Sequence, residues 1–262
     1  MKILLIIIVV LVVIYIGGFI FGYFMQDILI YPRQVQDNGE CENTNITSKA
    51  TKHNDTVLYH EHIESSDTVV VFYHGNGNVV CDMGFVMDIF RENNISYIFP
   101  EYTGYNDDEH KTTHEDVLQN VQDTVEFIEK QGYEHVYIIG QSVGSGAAAY
   151  HVSLKSPERL LLITPFTTLT RVIEEMFPIY PKFFVKMFFE DSFDNVNRLT
   201  EYDGKLLIMH GTKDNVVDKS QGVDLYNVIE TDDKNLIIVE DYGHESITHS
   251  TEFKEVIENI IK

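Results

Sequence analysis

The sequence is poor in basic residues and contains no tryptophan. Of its 262 residues only 19 are lysine or arginine, against 41 aspartates and glutamates, and the net charge is −22. A surface this acidic repels the phosphates of nucleic acids and of anionic lipid headgroups, so we expect no nucleic-acid partner. The hydrophobic fraction of 44% excludes a disordered chain and is ordinary for an α/β domain.

Cysteine is also scarce, since the chain has only Cys41 and Cys81. Two cysteines cannot build a disulfide framework or a four-cysteine zinc site, and they can form one bridge at most. We expect two unpaired thiols. His60 and His62 alternate along a predicted strand as metal ligands can, but no third ligand accompanies them, so we expect no metal site.

Charge is absent from one long segment at the N-terminus. Residues 3–25 carry no charged side chain, and as a helix they would span about 34 Å, enough to cross the hydrocarbon core of a membrane. Gly17 and Gly18 could mimic a signal-peptidase site, but the apolar run continues past them. The pattern therefore favours an uncleaved transmembrane signal anchor within residues 1–33 over a cleaved signal peptide.

The side of the membrane is less well determined by the sequence. Lys2 and the α-amino group precede the anchor and Arg33 follows it, which slightly favours a cytoplasmic N-terminus. If the rest of the chain were lumenal, it would offer three sequons for N-glycosylation. These sequons are at Asn45, Asn54 and Asn94.

Strands and helices alternate in the rest of the chain. Residues 34–55 are polar and predict a tether, which leads into a single domain over 56–262. Thr68–Tyr73 is a continuous apolar run, typical of a strand that is buried on both faces. His114–Gln131 carries apolar residues at helical spacing. The alternation predicts the α/β class, with a mostly parallel sheet and helices on both of its faces.

One segment interrupts this alternation. Residues 166–204 contain no clear strand, and their many aromatic residues and two prolines predict short helices. We interpret the segment as a small helical cap above the carboxyl ends of the strands; a single long crossover packed on the core is the alternative. Phe183, Phe184 and Phe188 are the candidate residues of this cap for binding an apolar substrate.

The strongest motif is Gly140-Gln141-Ser142-Val143-Gly144, between a predicted strand and a predicted helix. This is the setting of the G-x-S-x-G nucleophile elbow, a sharp turn that exposes the serine Oγ while the glycines let strand and helix approach each other. Ser142 is therefore the candidate nucleophile. The alternative is a turn rich in glycine and serine that has no catalytic role.

A nucleophilic serine needs a base that an acid orients, and in this setting the acid and then the histidine follow the serine along the chain. Asp214 and His244 each come just after a predicted strand. Both would lie with Ser142 at the carboxyl edge of the sheet, where ligands of open α/β sheets bind. We predict Asp214 as the acid and His244 as the base; a turn aspartate, a loop histidine or a role for His249 are the alternatives.

The oxyanion that forms during acyl transfer needs two preorganised N–H donors. Val143, the residue after the nucleophile, is expected to supply one. Asn76, in the sequence His74-Gly75-Asn76-Gly77-Asn78 after the strand Thr68–Tyr73, is expected to supply the other, because its flanking glycines permit a tight turn. A phosphate-binding loop is the competing interpretation, but the G-x-x-x-x-G-K-[ST] pattern is absent.

Together these motifs resemble the α/β-hydrolase superfamily over residues 56–262. The matching stretches, in the expected order, are HGNGN, PEYTGY, GQSVGSG, TPFTTL, HGTKDNVV and GHESI. Within the superfamily the chain resembles the small membrane-anchored abhydrolase-domain proteins of the type thirteen and type seventeen branch. It departs from them at 103–106, where Arg-Gly-Tyr-Gly is usual, and at Asp218, where a proline is usual.

The resemblance implies the α/β-hydrolase fold and a membrane-anchored serine hydrolase that acts on ester, thioester or amide bonds of lipid-linked substrates. From the site residues we expect cleavage of acyl esters or thioesters by Ser142, His244 and Asp214, without a cofactor. A peptidase or amidase using the same three residues and a non-catalytic binding module with this fold are the alternatives. Acyl length, headgroup and oligomeric state stay open.

Overall fold

The computed structural model describes residues 2–24, 26–32, 49–105, 110–188 and 193–262. Two N-terminal helices, α1 (Lys2–Phe24) and α2 (Gln26–Ile30), precede a domain built on one sheet. The sequon at Asn45 and most of the predicted tether lie outside the described residues.

The sheet has eight strands. They are β1 (Lys49–His53), β2 (Thr56–Glu61), β3 (Thr68–Tyr73), β4 (Ser96–Glu101), β5 (His135–Gln141), β6 (Arg159–Ile163), β7 (Lys205–Gly211) and β8 (Lys234–Val239). Their order across the sheet is β1-β2-β4-β3-β5-β6-β7-β8. The pairs β1–β2 and β2–β4 are antiparallel and the other neighbouring pairs are parallel. The predicted mostly parallel sheet is therefore confirmed.

Helices connect the strands. They are α3 (Gly84–Glu92), α4 (His114–Gln131), α5 (Val143–Leu154), α6 (Leu169–Met176), α7 (Lys182–Phe188), α8 (Asn195–Leu199), α9 (Lys219–Val228) and α10 (Thr251–Ile261). The longest of these connecting helices, α4, has the ends that its sequence predicts. Thr113 Oγ1 accepts a hydrogen bond from the Asp116 N–H at its start, and Gly132 takes a left-handed φ of 76° at its end.

Two apolar clusters cover the two faces of the sheet. Because successive strand residues point to opposite faces, Val69 and Val71 of β3 belong to one cluster, and Val70 and Phe72 belong to the other. All six residues of β3 are buried, as its continuous apolar run predicts. The helices that supply the rest of each cluster therefore lie on opposite sides of the sheet.

The sheet begins earlier in the chain than the sequence predicts. The strand β1 (Lys49–His53) pairs with β2 although it falls within 34–55, the segment predicted as a tether. Its side chains are exposed or half-buried, and it lies at the edge of the sheet. Backbone pairing at an edge needs no apolar side chains, so hydrophobic patterning gave no signal there.

The segment predicted as a cap, 166–204, carries α6, α7 and α8 and no strand among its described residues. It follows the carboxyl end of β6. That this segment forms a small helical cap stays a prediction, and we call it the cap below.

The cysteine prediction is wrong. Cys81 is buried and disulfide-bonded. The other cysteine of the chain, Cys41, lies outside the described residues. The sequence allowed one bridge at most and gave no sign that it would form, because the spacing of cysteines along a chain does not determine their separation in a fold.

The helix α1 is long and apolar enough to cross a membrane, by length and composition. Most of its side chains are exposed. In water such a surface would be strongly unfavourable, which makes a lipid environment or a cleaved signal segment the two physical settings for it.

We expect Gly144→Ala to destabilise the domain. An ideal Cβ on Gly144 would lie 2.6 Å from the His74 carbonyl oxygen and closer still to that of Tyr73, so α5 would have to move away from β3. The free energy of unfolding should fall by about 1–3 kcal/mol, although alanine is ordinarily the better helix former.

Thermal unfolding followed by circular dichroism measures this effect. Ser153→Ala, at an exposed position of the same helix, is the matched control and should change the free energy of unfolding by less than about 0.5 kcal/mol. Equal stability of the Gly144→Ala and control proteins would contradict the close approach of α5 to β3.

Candidate active site

Ser142 lies on the sharp turn between β5 and α5. Its φ is 53°, in the left-handed region that residues other than glycine rarely adopt. The Ser142 N–H donates to the Ile163 carbonyl at 2.9 Å, which fixes the turn against β6. Gly140 makes the turn possible, because a Cβ there would lie 2.6 Å from the Ala148 Cβ. The backbone therefore places the serine hydroxyl at the carboxyl edge of the sheet.

The structure brings the three predicted side chains together. His244 Nε2 lies 2.7 Å from Ser142 Oγ, and His244 Nδ1 lies 2.8 Å from Asp214 Oδ2. Asp214 follows β7 and His244 follows β8, which are neighbouring parallel strands, so their loops emerge side by side.

The two loops are also bonded to each other. The Lys213 N–H donates to the Tyr242 carbonyl at 2.8 Å. Gly211 permits this contact, since a Cβ at that position would collide with the same carbonyl group. The distance between the acid and the histidine is therefore set by backbone hydrogen bonding as well as by the side chains.

Asp214 is held as a carboxylate. Its side chain is fully buried, and its Oδ1 accepts hydrogen bonds from the Val216 and Val217 N–H groups at 2.9 Å each. Burial alone would raise the pKa of Asp214, but hydrogen bonds from His210 and His244 outweigh it and hold that pKa well below its ordinary value. An ionised carboxylate only accepts, so the shared proton lies on His244 Nδ1, and Nε2 is free to accept from the serine hydroxyl.

His210, near the end of β7, is a supporting residue that the sequence analysis did not identify. It is buried, and its Nε2 lies 3.0 Å from the Val217 carbonyl oxygen and 3.2 Å from Asp214 Oδ2. Both are acceptors, so Nε2 carries the proton. The ring packs against Gly222, where a Cβ would lie 2.6 Å from His210 Nδ1. The only sequence feature that could have indicated this role is the position of His210 in the HGTKD stretch, and a histidine at the end of a strand has no single structural role.

The two predicted oxyanion donors lie beside the serine. Val143 is the first residue of α5, so its N–H has no carbonyl acceptor within that helix. Asn76 follows Gly75, where a Cβ would lie 3.5 Å from the Ser142 Cβ. Asn76 and Val143 both border the same cavity as Ser142. Whether the two amides bind an oxyanion stays a prediction.

The loop that carries Asn76 is braced from several sides. The Tyr105 hydroxyl donates to the Asn76 carbonyl at 3.1 Å, and the Tyr102 hydroxyl donates to the His74 carbonyl at 3.0 Å. Behind the loop, His74 Nε2 faces Glu101 Oε1 at 3.1 Å, and both side chains are buried. This buried pair lies at the start of the loop and has no distinctive sequence pattern that would predict it.

A cavity of about 480 Å³ lies beside Ser142, within the size range of small-ligand sites. Among the described residues that line it none is charged, and most are apolar, including Phe166, Val172 and Val185. The walls come from the cap helices α6 and α7, from the loop after β3, and from α1.

Of the three cap phenylalanines predicted to bind an apolar substrate, the structure describes the side chain of one, Phe183. Phe183 lies outside the described lining, with 63% of its surface exposed, because it is on the outer side of α7. The buried neighbour Val185 borders the cavity instead. The side chains of Phe184 and Phe188 lie outside the described residues, so their assignment stays a prediction.

Among the described residues, the cluster close enough to hold a metal ion is Asp67, Glu134 and His135. It lies where β3 and β5 begin, at the amino ends of the strands, whereas Ser142 lies at their carboxyl ends. His135 Nδ1 is already 2.6 Å from Glu158 Oε1. His60 and His62, which the sequence raised as ligands, instead contact Thr51 and Tyr133. The candidate chemistry at Ser142 draws on none of these groups.

Comparison with known proteins agrees with the geometry, although no protein-family model matches the sequence. The α/β hydrolase domain-containing protein 17B of Xenopus laevis is 25% identical over 202 residues, 75% of this chain and 67% of that protein. Its human counterpart is 24% identical over 196 residues, 73% of this chain and 65% of that protein. The predicted resemblance to the type seventeen proteins is confirmed.

Solved structures decide the fold. The Pyrococcus furiosus esterase Pf2001 matches with a TM-score of 0.68 at 17% identity, covering 88% of this chain and 97% of that one. Est1E from Butyrivibrio proteoclasticus matches with a TM-score of 0.65 at 13% identity, covering 82% of this chain and 97% of that one. This chain has the α/β-hydrolase fold.

One departure from the α/β hydrolases of the type seventeen branch has a local explanation. Asp218 replaces the usual proline and caps the N-terminus of α9, where its side chain accepts a hydrogen bond from the Ser220 N–H at 2.8 Å. The residue is exposed and does not contact Asp214 or His244 in any described hydrogen bond. The Asp218 side chain therefore serves as a helix cap and takes no part in the hydrogen bonds that join Ser142, His244 and Asp214.

Proposed function

We propose that this chain is a membrane-anchored serine hydrolase that cleaves acyl esters or thioesters of lipid-linked substrates. The observation that carries the proposal is His244, placed between Ser142 Oγ at 2.7 Å and Asp214 Oδ2 at 2.8 Å, beside an apolar cavity. Similar proteins and structures named as hydrolases and esterases support hydrolysis as the reaction.

The reaction proceeds in two halves. Ser142 Oγ attacks the acyl carbonyl while His244 Nε2 takes the hydroxyl proton, and the charge that develops on the imidazole faces the ionised Asp214. His244 then returns the proton to the leaving alcohol or thiol, and an acyl-enzyme remains on Ser142. Water repeats the sequence and releases the acid.

The backbone amides of Val143 and Asn76 stabilise the oxyanion in both halves. One such donor contributes about 2.7–4 kcal/mol in hydrolases where it has been removed by mutation. Val143 is positioned by the helix that it begins, and Asn76 by the braced loop after β3. Both donors are therefore preorganised before substrate arrives.

The cavity favours an acyl substrate over a peptide. None of its described lining residues is charged, and polar groups are confined to a few positions that include Ser142, Asn76 and Tyr180. A peptide would bring amide groups that need hydrogen-bond partners in such a site, whereas a methylene chain gains about 0.8 kcal/mol for each buried CH₂. An amidase or peptidase remains the alternative that substrate assays distinguish.

We expect Ser142→Ala to abolish labelling by a fluorophosphonate probe and to remove nearly all ester hydrolysis, because no other group takes the place of the nucleophile. Residual turnover should not exceed about 10³–10⁴ over the uncatalysed rate. The measurement is labelling of the full chain in detergent micelles, with the labelled residue identified by mass spectrometry. Ser153→Ala is the control, and labelling at a residue other than Ser142 would refute the assignment.

We expect Asp214→Asn to lower kcat by about 10⁴-fold, because asparagine favours the wrong tautomer of His244. Asp218→Asn is the matched control: it lies four positions along the same loop, is exposed, and caps α9. Its kcat should change by no more than a few fold. Comparable losses in the two variants would show that the loop matters for folding and that Asp214 is not the orienting acid.

We also propose that the N-terminus is cytoplasmic and that the domain lies on the opposite side of the membrane. The disulfide bond of Cys81 supports this side, because disulfides persist in oxidising compartments. The sequon asparagine Asn94 is exposed, whereas the Asn54 side chain donates to Asp123 Oδ1 at 3.0 Å. Asn94 is therefore the better placed of these two for modification there.

Protease treatment of sealed microsomes tests the side of the membrane. We expect the domain to resist digestion until detergent opens the vesicles, because the bilayer would separate it from the protease. A cytoplasmic marker protein that is digested without detergent is the control. Digestion of the domain in intact vesicles would contradict the proposed orientation.

A further inference from the structure

One face of α1 packs against the cap. The residues of this face are spaced so that they lie on the same side of a helix, and they are Tyr15, Gly18, Phe19 and Gly22. The rings of Tyr15 and Phe19 lie 4.9 Å and 5.1 Å from the ring of Tyr180, between α6 and α7. The Tyr15 hydroxyl also donates to the Ile179 carbonyl at 2.9 Å.

The same face borders the cavity beside Ser142. Gly18, Phe19 and Gly22 line it together with the serine itself. A Cβ on Gly22 would meet no atom within 4 Å, so the absence of a side chain there leaves open volume. At Gly18, in contrast, a Cβ would lie 3.0 Å from the Tyr180 hydroxyl oxygen, so the small residue there lets the cap approach α1 closely.

The segment after α1 ties it to the catalytic domain. The Asn76 side chain donates to the Ile30 carbonyl at 3.0 Å, and Tyr31 is buried in the core cluster beside Tyr102 and Tyr105. The position of α1 relative to Ser142 is thus set by contacts on both sides of the cavity, at the cap and at the loop after β3.

The cap presents an apolar surface next to α1. Met176, Phe177, Ile179 and Phe183 are between 42% and 72% exposed. A patch of this kind marks contact with a membrane or a partner, and the exposed apolar surface of α1 adjoins it. If α1 crosses the bilayer, Tyr15 lies about 14 Å from the end of the helix, so the cap loop reaches the hydrocarbon region of one leaflet.

We infer that α1 is one wall of the acyl-binding site, and that the acyl chain of a membrane lipid enters the cavity from the bilayer between α1 and the cap. This rests on the proposed function and adds to it where the acyl chain binds and how it arrives. Gly22 leaves room for the chain, and the carbonyl end reaches Ser142, which lines the same cavity.

The inference is tested with the full chain in detergent micelles, by measuring kcat/KM for esters from butyryl to palmitoyl. Gly22→Phe places a ring in the open volume and should lower the palmitoyl-to-butyryl ratio of kcat/KM at least tenfold, since each methylene kept out of the cavity costs about fourfold. Gly17→Phe is the matched control: the residue is exposed on the same helix, outside the lining, and the ratio should stay within twofold of wild type.

The outcomes separate the two proposals. If Gly22→Phe hydrolyses esters with the wild-type chain-length profile, α1 is not a wall of the site, and the proposed function stands. If the wild-type chain hydrolyses no acyl ester, the proposed function fails and the inference fails with it.

A second measurement does not depend on any variant's folding. A fluorophosphonate with a long alkyl chain that ends in a photoreactive diazirine is bound to Ser142 of the wild-type chain and then irradiated. We expect crosslinks within residues 15–22 of α1. Crosslinks confined to other elements of the domain would overturn the inference, and a shorter alkyl chain serves as the control for distance.

Discussion

The left-handed backbone of Ser142 is the constraint on which the rest of the site depends. A non-glycine residue held at φ 53° costs about 1–3 kcal/mol, and the surrounding structure has to maintain it. Here the bond from the Ser142 N–H to Ile163 holds one side, and the close packing of α5 on β3 at Gly144 holds the other. The fold therefore maintains an unfavourable backbone conformation at Ser142, and that conformation presents the serine hydroxyl.

Buried polar groups hold the loops of the site in place. Asp214 receives two backbone N–H donors on one oxygen and two imidazoles on the other, so its charge is compensated within the protein rather than by solvent. The loop that carries Asn76 begins beside a second buried polar pair, in which His74 Nε2 lies 3.1 Å from Glu101 Oε1. Loops stabilised in this way keep their geometry without a ligand, as preorganised electrostatic stabilisation requires.

Local sequence patterns were sufficient to predict most strands of the sheet and to place Ser142, Asp214 and His244 after three of them. A continuous apolar run such as β3 and the glycines around Ser142 have few alternative explanations, and the chain order of serine, acid and histidine left few candidates. The edge strand β1 was missed because its pairing uses backbone groups and its side chains are polar. The role of His210 was missed because a buried histidine at a strand end has no distinctive sequence pattern.

Features that depend on which residues lie close together in space could not be predicted from the sequence. The bond at Cys81 and the outward position of Phe183 follow from how elements pack, and composition alone does not contain that information. The packing face of α1 belongs to the same class, because a helix that is apolar all round has no pattern to show which side meets the protein.

That packing face fixes the rotation of α1 about its own axis as well as its position. One inserted or deleted residue between Gly22 and Gln26 would turn the face by about 100° and carry Tyr15 and Gly18 away from the cap. If α1 crosses the bilayer as proposed, it is therefore not exchangeable for another apolar helix of equal length. Its sequence would then meet two separate requirements: apolar side chains toward lipid around most of its circumference, and side chains that fit the cap along one face.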